Sequence, residues 1–237
     1  MALPQLSGCP VYQFKPRITF ADGTQPAETY GVSIPPGLAP SNVPAPNFIP
    51  PTNMTSKLHD VSGHGDRLKI VHGLTVPEFA VTFPNMAQQW RRIGTGAFPS
   101  WQFQGGDVFL DVTLTVYILE GDRPQPNDEA SRKIYAILMS HELLHVLDEI
   151  DIVSRWMPPK VYGDDKVLKY LTNAQPVDDS MFRTWFQGSG FTNWLRDGYW
   201  SAERERRKQL RDTAQEYTTQ GDRIATLRAE IANRPSH

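Results

Sequence analysis

Cysteine is almost absent: a single residue, Cys9, in a chain of 237. That excludes an intrachain disulfide framework and any zinc site built on thiolates. No run of 18 apolar residues occurs, so no segment reads as a transmembrane helix. The opening stretch, Met1 to Pro10, carries neither a basic cluster nor an apolar core. The sequence therefore predicts no secretory signal, and a place in the cytoplasm or export by a signal-independent route. An excess of one charge is missing as well. With 24 Lys+Arg against 26 Asp+Glu, a protein whose main task is gripping a phosphate backbone is disfavoured, and no nucleic-acid partner is expected. No internal repeat is found. What remains is an ordinary globular composition, 39% hydrophobic, sized for one domain with attachments or two small domains.

Proline is unevenly spread: eleven of the 20 fall within the first 51 residues. Because proline fixes φ and removes a donor, this stretch favours extended or polyproline-II backbone over a helix or central strand. Residues 1–56 thus read as an extended arm or linker. Its Tyr12, Phe14, Ile18, Phe20, Tyr30 and Phe48 are more apolar than a spacer needs, which suits docking on the domain or on a protein partner.

A globular pattern begins near Lys57. Arg67–Gly73 and Phe79–Pro84 are short strand-like runs, followed by a helical or loop piece around Met86 to Arg92. Val108, Leu110, Val112, Leu114, Val116 and Ile118 occupy alternate positions, the period of a strand with one buried face. Asn127 or Asp128 then caps a helix with no Gly or Pro before Pro158, and the consecutive apolar residues Ile134 to Met139 predict that it is covered on most sides. Pro158-Pro159 is expected to end it. Further helices are predicted over Asp165–Thr172, from Asp178 or Ser180 to Gly188, and through the charged tail, interrupted at Gly198 and Gly221. The organisation is α+β: the arm, a core over 57–190 with a small mixed or antiparallel sheet around a central helix, and one or more charged helices over 191–237 packing on that core.

That central helix contains His141-Glu142-Leu143-Leu144-His145. Residues i and i+4 share one face of a helix, so His141 and His145 can bind one Zn²⁺, while Glu142 is placed to take a proton from an activated water. From 6 His and 10 Glu in the chain, the pattern H-E-x-x-H is expected by chance at roughly the one per cent level. The motif resembles the active-site helix of the zincin metallopeptidases. The resemblance implies a zincin-like fold, zinc as cofactor, peptide-bond hydrolysis with Glu142 as general base, and a protein or peptide substrate. It also implies that Val108–Ile118 is the edge strand along which extended peptide binds.

The third ligand is left open. One zincin branch places it six residues after the second histidine, behind a glycine; here those positions hold Asp151 and Asp148. If the helix runs on to Trp156, Asp151 is carried away from the metal. Another branch takes a glutamate from a later helix, and Glu203 is the first choice for the third ligand, with Asp151 close behind and Asp178 or Asp179 after them. Tyr162, Tyr170 and Tyr199 are candidate donors to an oxyanion, and His59, His64 and His72 form a second histidine-bearing stretch whose spacing matches no known site. Arg204, Arg206, Arg207 and Lys208 alternate with glutamates, as on a solvated helix face. Two functions are expected in competition: a zinc endopeptidase, with an exported effector or toxin as one setting, and an inactive zincin-like binding or structural protein that assembles through its arm and tail helix.

Overall fold

The structure is a computed structural model, and it describes residues 9–26, 44–54 and 72–233. His59, His64 and most of the expected strand at Arg67–Gly73 lie outside the described residues.

The chain is of mixed α+β class. Strands β1 (Tyr12–Phe20), β2 (Asn47–Ile49), β3 (Gly73–Thr82) and β6 (Gly106–Leu119) form one sheet, and β4 (Trp90–Ile93), β5 (Ser100–Phe103) and β7 (Val177–Asp178) a second. The alternation in β6 is as the sequence predicts, with Val108, Leu110, Val112, Leu114, Val116 and Ile118 all buried. Its assignment as an edge strand is corrected: β6 pairs with β1, β2 and β3. Side-chain alternation reports which face is buried, whereas edge or centre depends on the strand's backbone partners, which the alternation does not encode. Among the described residues, β3 has β6 as its one strand neighbour.

The proline-rich start is also more structured than a plain arm. Tyr12–Phe20 is a strand with Phe14 and Phe20 buried, and Asn47–Ile49 lies parallel to Tyr117–Leu119. Pro16 is tolerated in β1, whose one strand neighbour among the described residues is β6, because a residue without a donor fits a strand that is not paired by strands on both sides.

By its contacts the chain forms two compact units, and they interleave along the sequence. The first takes, of the described residues, 9–17, 78–112 and 150–205. Its core is aromatic. Trp90 meets Phe103, Phe182 and Phe186 with ring centroids 5.3, 5.2 and 4.3 Å apart, and Phe83 and Phe191 extend the cluster. Each such ring contributes roughly 1.5–3 kcal/mol by leaving water. Phe182 and Phe186 arrive one helical turn apart because Asp178 caps the turn before them, its carboxylate accepting from Met181 N–H at 2.7 Å. Pro158 and Pro159 do not end a helix. They sit at the start of Met157–Tyr162, a helical segment that follows directly on a π-helical turn, Ile152–Trp156, and the wider turn is where the run absorbs two residues without an N–H.

The second unit takes 18–26, 44–54, 72–77, 113–149 and 206–233. Most of the motif helix α1 (Glu129–Asp151) belongs to it. Asp128 caps α1, accepting from the N–H groups of Ala130 and Ser131 at 3.0 and 3.2 Å. No residue from Ile134 to Asp151 is fully exposed, so the helix is covered on most sides as its apolar run predicts, and a π-helical turn, Ile152–Trp156, continues it. Helices α2 (Ser201–Arg211) and α3 (Ala214–Ala232) make up the tail. The interruption falls at Asp212-Thr213, not at Gly198 or Gly221, which are both helical. Thr213 starts α3 by accepting from Glu216 N–H at 3.2 Å, the Thr-x-x-Glu arrangement of a helix start.

Candidate metal centre

The motif side chains converge because α1 stacks its i and i+4 positions. The rings of His141 and His145 stand nearly perpendicular, with centroids 4.8 Å apart, and their Nε2 atoms are 3.1 Å from one another. A third donor comes from the break between α2 and α3: Asp212 Oδ1 lies 3.3 Å from His141 Nε2 and 3.1 Å from His145 Nε2. Tetrahedral zinc with bonds of about 2.0–2.1 Å requires its donors to sit about 3.3–3.4 Å apart. The triangle of two imidazole nitrogens and one carboxylate oxygen is therefore close to the size a single ion needs. Three protein donors leave the fourth position of such a site to water or substrate.

The donor chemistry fits as well. Asp212 Oδ1 is buried and receives no well-aligned hydrogen bond, although two ring nitrogens crowd it. A buried carboxylate oxygen in that position requires a cation or a proton between the groups. Burial pushes the Asp212 carboxyl up, but the two imidazoles outweigh it and hold the group well below the usual carboxylate range. Burial pushes His141 down, yet Asp212, Glu142 and Glu216 carry it above its ordinary value.

Around this triangle Glu142 and His141 are each held by a neighbour. Glu142 is 3% exposed, and its Oε2 accepts from Thr75 Oγ1 at 2.7 Å, a hydroxyl supplied by β3. Gly73, at the start of β3, passes so close that a Cβ there would lie 2.6 Å from Glu142 Oε1. Burial raises the carboxyl of Glu142 above its ordinary range, against the pull of both imidazoles and of Thr75. Gln220 of α3 brings Nε2 to 3.1 Å from His141 Nδ1 and donates to Glu216 Oε1 at 2.8 Å. An amide at that nitrogen is the kind of partner that fixes a ligand imidazole's orientation, its oxygen turning toward the ring when Nδ1 carries the proton.

Asp212 was not among the carboxylates expected from the sequence, and none of those joins the metal-binding group found among the described residues. Asp151, Asp178, Asp179 and Glu203 belong to the first unit. There Asp151 pairs with Arg155, Asp178 caps its helix, Asp179 accepts from Trp101 and Arg183, and Glu203 is buried in the first turn of α2. The tyrosines belong to the first unit too: Tyr162 hydroxyl accepts from Phe14 N–H, Tyr199 donates to Asp164, and Tyr170 packs its ring near Phe186. His72 forms its own group in the second unit, with Nδ1 2.6 Å from Asp122, which Arg228 of α3 also binds at 2.6 Å. A signal for Asp212 was present: the Thr213-to-Glu216 cap marks a chain break just where a carboxylate precedes it. Comparison with protein-family models, curated proteins and solved structures finds no match, so the assignment of this centre rests on its residues and their geometry.

Proposed function

We propose that the chain is a zinc-dependent hydrolase of zincin type that cleaves peptide bonds, with His141, His145 and Asp212 as metal ligands and Glu142 as general base. The observation that carries this reading is the triangle of Nε2, Nε2 and Oδ1 at 3.1–3.3 Å, with the Glu of the same H-E-x-x-H run beside it. Zinc bound there supplies a Lewis acid that polarises a carbonyl and lowers the pKa of a water toward neutrality. Glu142 takes the proton of the attacking water and passes it to the departing amine nitrogen. Thr75 holds one oxygen of Glu142 and so fixes the carboxylate's orientation. The low proton affinity of Asp212 keeps it anionic and available as a ligand across the whole neutral range.

A second reading has one observation in its favour: Glu142 is 3% exposed, as in a metal-stabilised binding scaffold that never meets substrate. One experiment separates the two. Purified without chelator, the protein should hold about one zinc per chain and cleave an unstructured protein substrate such as casein. Glu142→Gln should keep the zinc and lose about 10²–10⁴-fold in rate. Zinc binding with no hydrolysis by the wild type would favour the scaffold. Failure to take up zinc at all would overturn both.

A further inference from the structure

Asp212 lies in the two-residue gap between α2 and α3, and a ligand on irregular backbone needs something to aim it. The residue before it, Arg211, makes a two-pronged ion pair with Asp148: Nε to Oδ2 at 3.0 Å and Nη2 to Oδ1 at 3.1 Å. Arg207, one turn earlier on α2, brings Nη1 to 3.6 Å from the same carboxylate. Asp148 follows His145 by three residues and His141 by seven, so it shares their face of α1. One end of this fork is therefore adjacent in sequence to the third ligand, and the other lies one helical turn from the second. Asp148 is largely buried, with 13% of its side chain exposed, which makes the paired geometry firmer than that of a surface ion pair.

We infer that the Asp148–Arg211 fork is the device that positions Asp212, registering the end of α2 on the histidine face of α1 so that Oδ1 reaches both imidazoles. Asp148 and Arg211 are positioning residues, and their role rests on the proposed reading of Asp212 as a ligand. A guanidinium suits the task because its planar pair of N–H groups fixes direction as well as distance, which a lysine ammonium does not.

The test measures zinc dissociation constants by competition with a chromophoric chelator, together with the visible spectrum of the cobalt-substituted protein. Asp148→Asn, which keeps the side chain's shape, and Arg211→Ala are each expected to weaken zinc by about 10–100-fold. Their cobalt spectra should shift from the intense bands of four-coordination toward the weak bands of a site with more water, as in Asp212→Ala. Arg211→Lys should recover only part of the loss. Arg155→Ala, which removes the exposed pair with Asp151 on the same helical run, should leave affinity and spectrum unchanged. If the wild type binds neither zinc nor cobalt, the metal reading fails and this inference with it. If the wild type binds both, and Asp148→Asn binds zinc with wild-type affinity and an unaltered cobalt spectrum, the fork is not the positioning device and the metal reading stands.

Discussion

The two units are built on different principles. The first packs rings, with Trp90, Phe83, Phe103, Phe182, Phe186 and Phe191 buried together, and uses carboxylates such as Asp178 and Asp179 for caps and bonds near its surface. The second buries its polar groups. Of the seven buried polar or charged residues named among those described, Thr75, Asp122, His141, Glu142 and Glu149 belong to it, leaving Gln89 and Glu203 to the first. Burying ionisable groups costs stability unless they are paired or bind a metal. The second unit carries that cost in the part of the chain that holds the candidate metal centre, while the first buries mainly aromatic rings.

Trp90→Ala is the harshest way to break this contrast. Removing a fully buried ring from the centre of the aromatic cluster should cost about 3–5 kcal/mol, read from urea unfolding, because the large cavity left behind cannot collapse fully. Zinc affinity of the folded protein should change less than about threefold, since no ligand has moved. A large loss of zinc affinity in this variant would show that the two units are energetically one, and would erase the contrast.

Two glycines sharpen it within the second unit. Gly73→Ala places a methyl group 2.6 Å from Glu142 Oε1, so Glu142 must move. The expected cost is about 1–3 kcal/mol, together with a sharp fall in hydrolysis while zinc stays bound. Gly221→Ala meets nothing within 4 Å on an exposed turn of α3, and should stabilise the protein by about 0.5–1 kcal/mol through helix propensity alone. Equal effects of the two substitutions would show that Gly73 is not there for Glu142. Thr75→Val, which keeps the shape but removes the donor to Oε2, should cost about 1–3 kcal/mol, since it leaves a buried acceptor unpaired. An unchanged unfolding midpoint would mean the hydroxyl is replaced by water.

Local features of the molecule were legible in its sequence. The buried face of β6, the Asp128 cap, the covered helix α1 and the spacing of His141 and His145 each follow from a few neighbouring residues. What escaped is what distant segments decide. β6 reads the same whether it is an edge or a centre strand, because its partners lie elsewhere in the chain. Pro158 and Pro159 read as a helix end, yet the helical run passes through them after the π-helical turn Ile152–Trp156. Asp212 differs from Asp151 or Glu203 in lying between Arg211, which pairs with Asp148 of α1, and the cap at Thr213. The pairing with α1 is a tertiary contact, and the order of residues shows only the capping pattern at Thr213 and Glu216.

The mildest prediction concerns pH. His141 sits above its ordinary 6.5 in the folded, metal-free protein: burial lowers it, but Asp212, Glu142 and Glu216 overcome that. A folded pKa above the unfolded one means that the folded state holds the extra proton. That stability is full below 6.5 and is lost as pH rises through the folded value. Glu142, raised by burial from 4.5, adds loss in the same direction, starting lower. Asp212 works oppositely: its depressed pKa stabilises above 3.8 and is lost only as pH falls toward the folded value. Metal-free protein should therefore melt at steadily lower temperature from about pH 5 to pH 8. Zinc requires neutral imidazoles and competes with the same proton, so its affinity rises over that range. The gap in Tm between zinc-loaded and chelator-treated protein should widen with pH, and Asp212→Asn should flatten the metal-free slope by removing the charge that holds the proton on His141. A gap independent of pH would mean that the metal does not displace this proton, and hence does not bind at His141.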